Sequence, residues 1–358
     1  MRILSLASFF VFVSNVQALT TENISILTQD GLSLSGVLTL PSTPISGAVL
    51  ILQGSGNVGA DGDVSGPMLG LGYHGQSTKL SEQISEALAK KGIASVRYSK
   101  RGKEDPSQEK NQIIPVLQKD ATSALSVLRA RFPVNKIGIV GLSEGATLAT
   151  LVSSQNAVDA VFLLSLPTRS IDEVMGYIFL SWPTEILTGH LDPNRTGSID
   201  LDSFTKSKVM NLSLMGVLGA ETTVESLDVN HDHKISVTGE LVPAYQKFYG
   251  ILKSVLESPV YHNWYHSLKD MAPFSAVAPK MKTKNIFVYQ GMDDAQVPWS
   301  WVVEDLFLLS VKPALHLYSG LGHCFSPMAG ELGEVKTSGA MDESVLNQLS
   351  NDASLGLK

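Results

Sequence analysis

Ser143, His323 and an adjacent pair of aspartates are the residues of this chain best suited to acyl transfer. Ser143 is the centre of Gly141-Leu142-Ser143-Glu144-Gly145. A serine hydroxyl is a weak nucleophile at neutral pH and needs a base beside it. His323, in Gly320-Leu321-Gly322-His323, can take the serine proton and later return it to a leaving group. A carboxylate must then hold the other ring nitrogen and offset the imidazolium charge. Asp293 and Asp294 both stand in the right part of the chain, between the serine and the histidine.

These side chains need rigid supports. Lys136 to Val140 is an apolar strand leading into the serine turn, and Ala146 to Thr150 opens a helix behind it. A turn that sharp needs almost no side chain on either flank, which Gly141 and Gly145 supply. The helix N-terminus behind the serine favours negative charge, as an oxyanion would carry. Upstream, Asn23 to Leu27 and Leu32 to Leu40 are β-like runs joined by Asp30-Gly31, a hairpin signal. Ala48 to Leu52 is apolar on both faces, as a central parallel strand is. Gln53 to Gly56 follows it, and Asn57 to Gln76 is a long glycine-rich loop.

Leu80, Ile84 and Leu88 mark a helix over Leu80 to Lys91, stopped by Gly92. Ala94 to Tyr98 is the next strand. Leu117, Ala121, Ala124, Leu125 and Leu128 share a face of a helix over Ile114 to Arg131, and Ala160 to Leu166 is a further strand. Two later strands are expected at Asn285 to Tyr289 and Ala314 to Tyr318, and a last helix at Ala340 to Leu349. The alternation predicts an α/β fold with a mostly parallel sheet, whose ligands bind at the carboxyl ends of the strands. Residues 171–280 break the pattern: they read as helical and carry Trp182, Tyr261, Trp264 and Tyr265. They are an insertion between the two parts of one core, 19–170 and 281–358.

The chain has 358 residues, is 44% hydrophobic and 17% charged, and carries a formal net charge of -7. That balance argues against nucleic acid or an anionic membrane as a partner. Residues 1–18 have one early cation, Arg2, an apolar run, and small residues near Ala18. They read as a cleaved signal peptide, which predicts a secreted or periplasmic protein. No later stretch reads as a membrane span. The single cysteine, Cys324, excludes an internal disulfide.

Four motifs in this order resemble the α/β-hydrolase superfamily, in particular secreted bacterial esterases and dienelactone-hydrolase-like members. Gly141 to Gly145 looks like the nucleophile elbow. Gly54-Ser55-Gly56 looks like the oxyanion loop. Arg97-Tyr98-Ser99-Lys100-Arg101-Gly102 resembles a strand-end motif with aspartate in place of Ser99. Gly291-Met292-Asp293-Asp294-Ala295-Gln296-Val297-Pro298 and Gly320 to His323 look like the acid and histidine loops. The resemblance covers residues 20–166 and 285–327. It implies a triad of Ser143, Asp294 and His323, with the acid chosen over Asp293 by the family register. It also implies an oxyanion hole from the backbone amides of Ser55 and Glu144. Gln53 stands where many relatives have histidine. Lys100 and Arg101 are read equally as loop-tying cations and as substrate contacts.

The insertion holds a second pattern. Asp192, Asn194, Thr196 and Asp200 occupy positions 1, 3, 5 and 9 of a loop that resembles an EF-hand, with Ser198 at position 7 and Ile199 at position 8. Asp228, Asn230, Asp232 and Ser236 repeat this, with Lys234 at position 7 and Ile235 at position 8. Hard oxygen donors suit calcium, and the isoleucines would pair the loops through a short β contact. Position 12, which should be a bidentate glutamate, is Ser203 in the first loop and Gly239 in the second, where Glu240 falls one residue late. Position 6 is Gly197 in the first loop but His233 in the second. Calcium here would be structural, fixing an EF-hand-like cap over the pocket, because serine chemistry needs no cofactor.

The leading reading is an exported serine hydrolase of small-molecule carboxylic esters. The pocket is expected beneath the cap, with its aromatics and Met175, Met210 and Met215 as candidate lining. The alternatives are a peptidase or acyl-peptide hydrolase on the same core, and a calcium-dependent binding module on a non-catalytic hydrolase fold.

Overall fold

The computed structural model describes residues 19–63, 79–206, 223–310, 312–326 and 340–357. The expected signal peptide, Met210, Met215 and residues 64–76 of the long loop lie outside them.

An eight-stranded sheet in the order β1-β2-β4-β3-β5-β6-β9-β10 organises the chain. β1 (Thr20–Leu27) and β2 (Ser33–Leu40) form the expected hairpin, with Gly31 at φ 84° in its turn. β2 also pairs antiparallel with β4 (Ile93–Tyr98). From β4 onward every pairing is parallel, through β3 (Gly47–Leu52), β5 (Lys136–Leu142), β6 (Ala160–Leu164), β9 (Ile286–Gly291) and β10 (Ala314–Tyr318).

The central strands are buried on both faces, which explains their unbroken apolar runs. In β3 the alternation divides the side chains. Ala48, Leu50 and Leu52 join α2 (Ile114–Arg131) and α3 (Glu144–Gln155) on one side. Val49 and Ile51 join α1 (Leu80–Ala89) on the other.

The middle segment leaves the sheet after β6 and returns at β9, which is hydrogen-bonded beside β6. It contains α4 (Ile171–Gly176), α5 (Trp182–Leu191), β7 (Ser198–Asp200), α6 (Leu201–Lys206), β8 (Lys234–Ser236), α7 (Val242–Leu256) and α8 (His262–Lys269). Its helices and loops enclose an apolar cluster of their own, including Phe179, Leu187, Ile199, Phe204, Ile235, Tyr245 and Tyr265. β7 and β8 pair antiparallel, with Ile199 opposite Ile235.

Some boundaries differ from the sequence expectation. β6 stops at Leu164, two residues early, because Ser165 turns to φ 47°. The last helix, α10 (Glu343–Gly356), runs beyond Leu349 because Ala353 and Leu357 continue its buried face. A helix the periodicity did not single out, α9 (Trp299–Phe307), packs Val302 and Leu306 into the core. No helix among the described residues is long and apolar enough to cross a membrane.

Candidate active site

Ser143 stands between β5 and α3 at φ 56°, ψ -119°, a backbone region that L-residues rarely occupy. Close packing enforces the turn. A Cβ on Gly141 would lie 2.2 Å from the Gly145 carbonyl oxygen. A Cβ on Gly145 would lie 2.1 Å from that of Leu52. Both positions therefore exclude every residue but glycine.

The histidine and acid loops sit beyond β10 and β9. A Cβ on Gly291 would lie 2.3 Å from the Leu321 carbonyl oxygen, so a side chain there would drive the two loops apart. Asp294, not Asp293, reaches the imidazole: His323 Nδ1 lies 2.9 Å from Oδ2 and 3.0 Å from Oδ1. Gln290 Nε2 donates to Asp294 Oδ2 at 2.9 Å, and the Gln296 and Val297 amides donate to Oδ1 at 2.8 and 2.9 Å. The carboxylate is thus buried but fully solvated by protein donors. Ser165 Oγ donates to the His323 carbonyl at 2.6 Å and fixes that loop from behind. The Asp293 amide donates to Leu321 O, so its own role is in holding the two loops together.

Ser143, His323, Ser55 and Glu144 line one cavity of about 500 Å³. Among the described residues, Ser143 Oγ forms no hydrogen bond to the His323 ring. In apo sites such bonds are often long and tighten with substrate bound. The Ser55 and Glu144 amides have no hydrogen-bond acceptor among the described residues.

Lys100 and Glu144 form an ion pair at 2.6 Å, with side chains 4% and 3% exposed. Lys100 Nζ also donates to Gly54 O at 3.0 Å. Ser55 Oγ and Trp264 Nε1 donate to Glu144 Oε2 at 3.3 and 3.0 Å. The cation after β4, the loop after β3, the start of α3 and the inserted segment therefore meet on one carboxylate. Arg101 is likewise structural: it grips Asp120 through two bonds of 2.6 and 2.7 Å and Asp30 at 3.0 Å. Gln53 Nε2 donates to Gly59 O and Ala60 O, and Ser99 Oγ accepts from the Ala60 amide. The two departures from the esterase motifs thus brace the loop beside the serine.

Of the residues of the inserted segment named from sequence, Met175, Tyr261 and Trp264 line the cavity. Tyr265 is instead buried in the inserted segment's own apolar cluster. Trp182 is not among the lining residues. Ile178 and Phe179 do line it; an aliphatic and a phenyl group inside an apolar helix carry no signal that separates pocket from core.

The two oxygen-rich loops adopt one conformation. Positions 4 and 6 have positive φ in both: Arg195 53° and Gly197 80°, His231 61° and His233 62°. His233 therefore makes the turn for which glycine is favoured. Asp192 accepts from the Thr196 and Gly197 amides, and Asp228 from the equivalent Asp232 and His233 amides. Val237–Leu241 forms a π-helical turn, in which the Val242 amide reaches Val237 O. Such a turn accommodates one extra residue, so Glu240 folds back into the second loop despite its late position. Its Oε1 accepts from Val229 N at 2.8 Å and its Oε2 from Ser236 N at 2.8 Å. Asn230 Oδ1 and Asp232 Oδ1 accept from the Asp232 and Lys234 amides. In the first loop, Ser203 Oγ donates to Asp200 Oδ2, Ser198 supplies its carbonyl to Thr196 Oγ1, and no carboxylate stands at position 12. Asn194 and Thr196 complete that loop.

The sheet order and the serine turn define the α/β-hydrolase fold, and solved esterases share it. An esterase from Pyrococcus furiosus superposes with a TM-score of 0.51 at 13% identity, over 95% of this chain and 92% of that one. Est1E from Butyrivibrio proteoclasticus superposes with a TM-score of 0.50 at 14% identity, over 93% and 98%. In sequence, the chain is 32% identical over 150 residues to esterase EstD of Thermotoga maritima, which is 40% of this chain and 32% of that protein. The chain thus matches about a third of that relative's length. No protein-family model matches the chain.

Proposed function

We propose that this chain is a serine hydrolase of carboxylic esters, acting through an acyl-enzyme. The observation that carries the reading is the strained Ser143 turn facing a cavity that also holds His323, whose Nδ1 is bound by the buried Asp294. In the acylation step Ser143 Oγ bonds to the ester carbonyl carbon while its proton passes to His323 Nε2. The carbonyl electron pair moves onto oxygen, between the amides of Ser55 and Glu144. Collapse breaks the carbon–oxygen bond to the alcohol, which leaves with the histidine proton. Water then repeats the sequence on the acyl-serine and releases the acid. Asp294 keeps the proton on Nδ1 and stabilises the imidazolium. An amide donor of the hole is worth about 2.7–4 kcal/mol in related chemistry. The esterase names of the relatives support the ester over the peptide substrate.

Fluorophosphonate labelling with peptide mapping tests the reading. The label is expected on Ser143, with a burst on a short-chain aryl ester. Ser143→Ala is expected to lose both, and a Ser143→Ala protein with full turnover would sink the triad.

Calcium in the second loop belongs to the same proposal. Asp228, Asn230, Asp232 and Glu240 would hold it, with the Lys234 carbonyl and Ser236 as further oxygen donors. The oxygen-only side-chain set fits a hard cation. The ion would supply no step of the chemistry and would brace the cap. Calcium should raise the melting temperature of the wild type but not of Glu240→Gln. An equal rise in both would remove the loop from consideration.

A further inference from the structure

A second constellation lies on the outer side of the cap, at the corner between α7 and α8. Glu257 is the residue at which α7 ends. His262 and His266 are one helical turn apart at the start of α8, so their side chains share a face. One ligand atom from each of the three residues can be chosen so that all lie within 4.8 Å of one another. Glu257 Oε2 lies 2.8 Å from His266 Nε2 and 3.4 Å from His262 Nδ1. The two imidazole rings are 4.2 Å apart between centroids. All three side chains reach solvent, with 46%, 50% and 34% exposure for Glu257, His262 and His266.

We propose that Glu257, His262 and His266 form a binding site for a divalent transition metal of the zinc class. Two imidazole nitrogens and one carboxylate oxygen are the donors such an ion takes. Ligands of a tetrahedral zinc stand about 3.4 Å apart for bonds of about 2.0–2.1 Å. The His262 to Glu257 spacing already meets this, and the shorter His266 contact needs only a side-chain rotation. Three protein ligands leave the fourth position to water, on the solvent side. The oxygen-only ligands of the paired loops suit a hard cation, so the two sites select different ions.

The site would act as a staple. Ser258 to Tyr261 is the turn it closes, and Val260 and Tyr261 line the ester cavity from that turn. Trp264, which donates to Glu144, lies on α8 between the two histidines. A bound ion therefore fixes the corner of the cap that forms one cavity wall, without touching Ser143, His323 or Asp294.

Zinc titration of the full chain by calorimetry, with cobalt(II) absorption as a geometric readout, tests the proposal. The wild type is expected to bind one zinc at this site and to show visible cobalt bands of low coordination number. The melting temperature should rise by several degrees with saturating zinc. His262→Ala/His266→Ala should weaken binding at least tenfold and lose the cobalt bands and the thermal shift. Glu257→Gln provides a second variant that keeps the shape of the side chain, and it should weaken binding in the same direction. Circular dichroism without metal checks that the variants fold. Absence of saturable binding would overturn the proposal. So would binding undiminished in the double variant, which would place the ion elsewhere, for instance at His231 and His233.

Discussion

Asp293 and Asp294 are chemically identical neighbours, and the fold gives them different work. Asp294 receives two backbone amides and the Gln290 side chain, and its oxygens face His323. Asp293 contributes a backbone bond to the histidine loop. Asp294→Asn is therefore expected to reduce kcat by about 10⁴-fold, because the amide cannot hold the same imidazole tautomer. Asp293→Asn should stay within severalfold of the wild type. Steady-state kinetics on the two variants reads the difference, and a reversed order would reassign the acid. Gln290, which donates to Asp294 Oδ2, lies outside the sequence motifs. Its signal was a polar side chain four residues before the aspartate, within a strand otherwise apolar.

The serine loop, the strand-end cation and the inserted segment are separate elements locked by one buried carboxylate. Lys100 comes from the turn after β4, Gly54 and Ser55 from the loop after β3, Glu144 from α3 and Trp264 from α8. Removing one member of a buried ion pair strands the other, which typically costs about 3–5 kcal/mol. Lys100→Met is expected to destabilise the chain on that scale in urea unfolding. Adding Glu144→Gln should recover part of the loss, because the stranded charge is then gone. If Lys100→Met unfolds at the wild-type midpoint, the pair has no structural weight. The π-helical turn at Val237–Leu241 shows the same logic within the inserted segment: one extra residue is absorbed locally, and Glu240 Oε1 accepts from the Val229 amide.

Across the whole molecule, Arg101 ties the amino-terminal hairpin to α2 and to the end of β4. Its bond to Asp30, followed by the Thr28 hydroxyl, holds the Asp30 carboxyl well below its usual range. A carboxylate depressed in the folded state contributes stability above its unfolded pKa, about 3.9. That contribution is lost as pH falls through the lower folded value. The wild type should therefore be more stable than Asp30→Asn at pH 6, and the gap should close in the strongly acid range below about pH 4. Asp30 is more than half exposed, so the gap should be small. Urea midpoints measured from pH 6 downward check it, and a gap that widened in acid would contradict the assignment.

The sequence by itself determined the local alternation of strands and helices, the serine turn and the order of the chemical residues. Each is written in short-range pattern: apolar periodicity, glycines flanking a serine, and loops at strand ends. The two loops with oxygen at every second position were equally legible, as was the isoleucine of each that meets its counterpart. The local pattern around Asp293 and Asp294 is the same for both; the family register pointed to Asp294, and the tertiary structure puts its carboxylate on His323 Nδ1. It decided that Lys100 and Arg101 bind carboxylates of the protein, because their partners lie 44 and 19 residues away. It also decided which side chains of the inserted segment wall the cavity: Ile178 and Phe179 belong to that segment's apolar cluster and reach the cavity as well, whereas Tyr265 belongs to the cluster alone. The orientation of an amphipathic helix is legible in its sequence, but what covers each face depends on elements far away in the chain.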